Sequence, residues 1–232
     1  MISFEKINEK YDIYRIVDQD SNLPKTIIIE NREYYRFMNY FYIPDHTDLL
    51  NERYVSELNN MRYYYKNIVI DYEYNLTIEK KMIASILKYI KTDKISENIL
   101  DFGCGEGGAE KLLTPNFPEL TLYGVDIRDI NASYLTNYHS FQQVDINREL
   151  PFKNDFFDLI IALFVFHFRI TDIQIKSIHR ILKKDGLLCF NLIKSANRKI
   201  IDRFLAEGFV IEKSEKITFK EKLGEYYIFR KV

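Results

Sequence analysis

The chain has 232 residues, a formal net charge of −1, 47% apolar and 29% charged residues. This is enough for one large domain or a catalytic domain with a smaller appendage, and the composition is that of a folded globular protein. The near-zero charge excludes a global positive field that would gather nucleic acid or an anionic membrane. The two cysteines, Cys104 and Cys189, allow one disulfide at most and lack C-x-x-C spacing, so no metal centre is expected and a reducing, cytoplasmic setting is the simpler reading. Met1–Glu5 carries no basic segment followed by an apolar run, which predicts no signal peptide. The longest apolar stretch, Leu159–Phe168, is too short to span a bilayer.

The first third is rich in tyrosine, with thirteen of the 18 tyrosines preceding Lys91. Tyr11–Val17 and Thr26–Glu30 read as strands around the turn-forming stretch Asp18–Asn22. Asp48 suits the N-cap of a helix through Leu49, Tyr54, Leu58 and Met61. Thr77 suits another, in which Ile78, Met82, Ile83, Ile86, Leu87 and Ile90 recur at helical spacing. The texture thus divides the chain into a tyrosine-rich segment, 1–76, and a second domain, 77–232.

From Ile99 onward short apolar runs alternate with helical stretches, the pattern of α/β layering. Strands are predicted at Asn98–Phe102, Thr121–Asp126, Ser140–Val144, Phe157–Leu163 and Leu187–Leu192, with a closing antiparallel pair at Phe209–Ser214 and Glu225–Arg230. Helices are predicted at Gly108–Leu113, around Ile130–Tyr138, through Ile173, Ile175, Ile178 and Ile181, and near Arg198–Ala206.

The strand Asn98–Phe102 runs into Gly103-Cys104-Gly105-Glu106-Gly107-Gly108. Closely spaced glycines let the backbone turn sharply and approach a nucleotide, and the helix that follows directs free N–H groups to the same place. The spacing is G-x-G-x-G, not the G-x-G-x-x-G of a dinucleotide pyrophosphate site. Asp101 places a negative charge beside the loop, which suits a cationic amino group better than a phosphate. Asp126 ends the next strand, where an acid about 20 residues beyond such a loop accepts from ribose hydroxyls; an acidic helix cap is the alternative. Asp145-Ile146 follows the third strand, where a carboxylate and an N–H suit an adenine edge; a turn-forming aspartate competes with that reading.

Asp101–Gly108, Gly124-Val125-Asp126, Asp145, Leu150-Pro151-Phe152 through Phe157-Asp158, and Ile181–Leu188 resemble, in order and spacing, the successive motifs of class I S-adenosylmethionine-dependent methyltransferases. The resemblance covers about Ile78 to Val232. It implies a doubly wound seven-stranded α/β sheet, parallel except for one antiparallel strand, with the cofactor at the carboxyl ends of the strands. It implies that Asp101 and Gly103 face the methionine amino group of S-adenosylmethionine, Asp126 the ribose, and Asp145 with Ile146 the adenine, with Cys104, Gly105, Gly107, Ile127, Leu163 and Tyr72 also against the cofactor. Asp185-Gly186 stands where the family often has Pro-Gly, a departure confined to a turn.

His167, after the fourth strand, would stand near the transferred methyl, as a base, as an orienting group, or as a packed histidine with no catalytic duty. Ala162-Leu163-Phe164-Val165 replaces the Asn/Asp-Pro-Pro-aromatic motif of enzymes that methylate base amino groups, and neither cysteine is placed to attack a pyrimidine. The tyrosine-rich segment is expected over the open end of the pocket, with Arg62, Tyr64, Tyr65 and Tyr74 as candidate substrate residues. The expected reaction is methylation of an oxygen or nitrogen of a small metabolite, without membrane or nucleic-acid partner, and a homodimer is left open. The alternatives are methylation of tRNA or protein, with Lys194, Arg198, Lys199 and Arg203 meeting phosphates, or a non-catalytic cofactor-binding subunit.

Overall fold

The computed structural model describes residues 4–9, 12–17, 23–24, 26–37, 41–44, 80–88, 98–105, 107–114, 118–130, 135–166, 170–193, 199–219 and 222–232. The chain separates into two compact units, Met1–Ile70 and Asp71–Val232. The predicted helix through Asp48 and Met61 lies outside the described residues.

The first unit carries a five-stranded antiparallel sheet with strand order β1-β2-β5-β4-β3, built from β1 (Phe4–Asn8), β2 (Ile13–Ile16), β3 (Thr26–Ile29), β4 (Arg32–Phe37) and β5 (Phe41–Pro44). The two strands expected from sequence are β2 and β3, while β1, β4 and β5 were not anticipated. Glu30 and Asn31 join β3 to β4 with φ of 50° and 64°, the paired left-handed residues of a two-residue hairpin turn. Tyr14, Ile16, Tyr34 and Tyr42 pack together on one face, so these three tyrosines serve the unit's own core. The Tyr34 hydroxyl donates to Asp12 Oδ2 at 2.5 Å, and Lys6 and Arg32 flank the same carboxylate at 3.0 and 2.9 Å. Burial pulls the Asp12 carboxyl up, but the Tyr34 hydroxyl and the two cations outweigh it and hold it below its usual value.

The second unit is a seven-stranded sheet with order β11-β12-β10-β9-β6-β7-β8. Its strands are β6 (Asn98–Phe102), β7 (Thr121–Asp126), β8 (Ser140–Gln143), β9 (Phe157–Ala162), β10 (Leu182–Ile193), β11 (Phe209–Phe219) and β12 (Lys222–Lys231). All pairs from β8 to β10 are parallel, whereas β12 runs antiparallel to both β10 and β11. This is the doubly wound arrangement with one reversed strand that the motif order implies.

Helix α1 spans 80–88, α2 Gly108–Leu113, α3 Asp172–Ile181 and α4 Lys199–Ala206. Alternation along the strands divides the core. Leu100, Ile160, Ala162, Leu188, Phe190 and Phe229 meet α3 and α4 residues on one face. Ile99, Ile161, Cys189 and Ile228 meet Met82, Ile83 and Ile86 of α1 on the other. Central strands buried on both faces explain why β9 reads as an almost wholly apolar run, with Asp158 the one charged residue in it.

One sequence expectation is overturned in this unit. Leu135–Tyr138 is a turn, closed by the Tyr138 N–H on the Leu135 carbonyl at 3.2 Å, and not the end of a helix. Asn137 explains it: its backbone N–H and its side-chain amide both donate to Glu110 Oε1, which draws the backbone away from a helical course.

Candidate functional site

The glycine loop leaves the carboxyl end of the central strand β6, between β7 and β9. Gly103, Gly105 and Gly107 take φ of +75°, +51° and +80°, a succession that L side chains adopt only at a cost. The Gly103 and Cys104 N–H groups both donate to the Val125 carbonyl, at 2.8 and 3.0 Å, fastening the loop to β7. A Cβ on Gly103 would lie 2.4 Å from Val165 Cγ2, so the segment after β9 rests directly on the loop.

Two buried acids flank this loop. Asp101 is 2% exposed, and its Oδ2 accepts from the Tyr138 hydroxyl at 2.5 Å. Asp126 is 7% exposed. Its Oδ2 accepts from the Gly105 N–H at 2.9 Å, and its Oδ1 from the Arg128 N–H at 2.9 Å and from Arg128 Nε at 3.3 Å. A carboxylate has about four acceptor positions, and the long Arg128 Nε bond is the one most readily exchanged for a ligand hydroxyl. Burial, with Asp101 and Asp126 nearby, pushes the Cys104 thiol well above its usual value. It is therefore a protonated, packed group and no nucleophile.

Tyr138 was not singled out by the sequence. The signal that could have found its place is Gly124, a glycine inside a strand, which marks close approach of another group. A Cβ there would meet Tyr138 Cδ1 and Cε1 and Cys104 Sγ, each at 3.1 Å. The bare strand thus lets the ring cross β7 and deliver its hydroxyl to Asp101. Burial and the Asp101 charge push the Tyr138 hydroxyl far up, so it remains a donor at any physiological pH. Tyr138→Phe leaves part of a buried carboxylate unpaired, at about 1–3 kcal/mol. The expected result is a lower thermal midpoint and about tenfold weaker binding of S-adenosylhomocysteine, read by calorimetry.

Asp145 closes a turn after β8. Its Oδ1 accepts from the Asn147 N–H at 2.7 Å, and Arg148 lies 3.4 Å from its Oδ2. This is the turn-forming role that competed with the adenine role. The turn is held in place from α3: Thr171, the N-cap, donates to the Ile146 carbonyl at 2.6 Å, and Gln174 Nε2 donates to the Asp145 and Arg148 carbonyls. The Ile127 carbonyl accepts from Gln143 at 3.1 Å. Leu163 packs, half-buried, against the α1-side core. Tyr72, Arg62, Tyr64, Tyr65, Tyr74 and His167 lie outside the described residues.

Of the residues named from sequence, the fold brings Asp101, Gly103, Cys104, Gly105, Gly107 and Asp126 to one end of one sheet. The donor set fits S-adenosylmethionine. Three left-handed glycines make a cradle, and among the described residues, chain neighbours aside, a Cβ on Gly105 would meet nothing nearer than the flexible Arg128 Nη2 at 3.3 Å. Two buried carboxylates suit the cofactor's ammonium group and ribose hydroxyls. Among the described residues, no group of three acidic, His or Cys side chains is placed to hold a metal, and no helix is long and apolar enough to cross a membrane.

Comparison with known proteins identifies the family. The model of the methyltransferase domain family matches residues 74–218, more than half of the chain. A malonyl-[acyl-carrier protein] O-methyltransferase of Calditerrivibrio nitroreducens is 28% identical over 163 residues, covering 67% of this chain and 62% of that protein. A protein of the same name from Acetivibrio thermocellus is 28% identical over 126 residues, covering 52% of this chain and 44% of its own length. The chain thus spans about half the length of the curated relatives it matches. The crystal structure of magnesium protoporphyrin IX methyltransferase from Synechocystis, with S-adenosylmethionine bound, superposes with a TM-score of 0.58 at 16% identity. That match covers 81% of this chain and 99% of the other, a likeness of fold.

Proposed function

This chain belongs to the methyltransferase domain family, of the class I S-adenosylmethionine-dependent kind, and from that premise we propose that it transfers a methyl group to an oxygen or nitrogen of a small metabolite. The observation that carries the cofactor part of the reading is the pair of buried acids, Asp101 and Asp126, on either side of a three-glycine turn; the near-neutral charge of the chain favours a small acceptor over a nucleic acid. The charge of the two acids is directed at a cation and a pair of hydroxyls, where a phosphate would be repelled. The cofactor supplies an electrophilic methyl on a sulfonium. The chain's task is to hold the acceptor in line and keep water away, which accounts for much of the rate in such transfers.

An oxygen acceptor is favoured over nitrogen by the names of the relatives, both O-methyltransferases. A malonyl group offers a carboxylate oxygen, which is already ionised at neutral pH and needs no base. On this reading His167 orients the acceptor and does not deprotonate it, and His167→Asn lowers the rate without shifting the acidic limb of the pH profile. If the acceptor were a hydroxyl or an ammonium, loss of His167 would flatten that limb. Arg62, Tyr64, Tyr65 and Tyr74 are proposed to recognise the acceptor, Arg62 pairing with an acidic group on it. Tyr72, Leu163, Ile127 and Asp145-Ile146 are proposed to line the cofactor.

A macromolecular acceptor is less well supported. Arg203, one of the cations that would meet phosphates, is already paired with Asp172 at 2.6 Å. Incubation of the protein with methyl-labelled S-adenosylmethionine and separated pools of small metabolites, tRNA and protein tests the reading. Label is expected in the small-molecule pool, an acyl group cleaved from carrier protein included; label in tRNA or on protein side chains alone contradicts it.

A further inference from the structure

We propose that Asn191 is a positioning residue for the cofactor site, acting through the backbone of Phe164 and the side chain of Val165. The inference rests on the reading of the glycine loop as the place of S-adenosylmethionine.

Asn191 lies in β10 among Leu187, Leu188, Cys189, Phe190 and Leu192, all buried and apolar, and is itself 0% exposed. Register places it. Asp101 of β6 stands level with Ile161 of β9, and Ile161 with Cys189 of β10. Two residues on, Asn191 occupies the same face as Asp101, nearer the carboxyl ends of the strands. Its Oδ1 accepts from the Phe164 N–H at 2.7 Å, while among the described residues its Nδ2 has no hydrogen-bond partner. A buried amide with one unpaired donor is a poor choice for packing alone, since an apolar residue would leave nothing unpaired. What it secures is the conformation of Phe164.

Phe164 has φ of 57°, a left-handed conformation rare for an aromatic residue, and it bends the chain out of β9. The bend lets Val165 come down on the glycine loop, where its Cγ2 takes the space a side chain on Gly103 would need. Asn191, Phe164, Val165 and Gly103 therefore form a continuous line from the fifth parallel strand to the loop. Without the Asn191 acceptor, Phe164 relaxes to negative φ and Val165 moves against Gly103.

The test uses Asn191→Val, Asn191→Asp, and Phe164→Gly alone and combined with Asn191→Val. Affinity for S-adenosylhomocysteine and the thermal midpoint are measured for each. Asn191→Val keeps a strand-forming residue and removes the orphan donor, so the protein is expected to stay folded but to bind at least about tenfold more weakly. Asn191→Asp keeps an acceptor for the Phe164 N–H and is expected to bind more tightly than Asn191→Val. Glycine adopts positive φ freely, so adding Phe164→Gly to Asn191→Val is expected to recover affinity, even as the lost ring lowers the thermal midpoint further. That opposite movement is the signature of positioning. Wild-type affinity in Asn191→Val, or a parallel fall of affinity and stability in the double variant, overturns the proposal. If Asn191→Val does not fold, Asn191→Asp decides: binding within a few-fold of wild type supports the proposal, and loss of binding in a folded protein overturns it. A wild-type protein that fails to bind S-adenosylhomocysteine removes the cofactor reading itself, and this proposal with it.

Discussion

Gly103→Ala is expected to weaken binding of S-adenosylhomocysteine by about a hundredfold or more, the largest effect of any single methyl group added to this chain. Two causes act together. At φ of +75° an alanine carries the left-handed penalty of about 1 kcal/mol. The added Cβ also falls 2.4 Å from Val165 Cγ2, well inside contact distance. Val165 is β-branched and stiff, and the residue before it is tied by its N–H to Asn191, so the strain passes to the loop. Gly208→Ala is the control. Gly208 has φ of +99°, a Cβ on it would come 3.3 Å from His179 Nε2, and it immediately precedes β11, at the opposite end of the sheet from the loop. That variant is expected to lose stability and keep its affinity; calorimetric titration of both, with thermal melts, separates the two outcomes.

Asp126→Ala is expected to lower cofactor affinity by a similar factor. Each hydrogen bond to a charged acceptor contributes about 1.5–3 kcal/mol, so loss of the two ribose contacts proposed for Asp126 alone amounts to a factor of about a hundred or more. The carboxylate also orders the loop it faces, through the Gly105 N–H at 2.9 Å. Asp126→Asn keeps one acceptor oxygen and the shape of the side chain, and is expected to fall between wild type and alanine. Stability falls as well, by about 1–3 kcal/mol, because the Gly105 and Arg128 N–H groups lose their acceptor, whereas the Arg128 side chain is partly exposed and can turn to solvent. Unchanged affinity in Asp126→Ala would show that the ribose lies elsewhere.

The second unit was legible in the sequence because its signals are local. Apolar runs such as Phe157–Ala162 mark strands buried on both faces, and glycine spacing after Asn98–Phe102 marks the loop. The aspartates at strand ends follow from the same pattern. What escaped depended on contacts distant in sequence. Tyr138 reaches Asp101 across 37 positions, and Asn191 reaches Phe164 across 27. The expected helix around Ile130–Tyr138 does not extend through Leu135–Tyr138, whose course is set by Asn137 bonding to Glu110, which no periodicity encodes. In the first unit, the β3–β4 hairpin turns on Glu30-Asn31, a pair lacking the glycine that usually announces such a turn. Tyr14, Tyr34 and Tyr42 form the sheet's own packed face, while the tyrosines named as substrate candidates lie outside the described residues.

The most direct test of the cofactor assignment is a pair of calorimetric titrations of the wild-type protein, one with S-adenosylhomocysteine and one with NAD. The buried Asp101 and Asp126 beside a G-x-G-x-G turn lead to saturable one-to-one binding of S-adenosylhomocysteine and none of NAD. Binding of NAD with no heat from S-adenosylhomocysteine would contradict it.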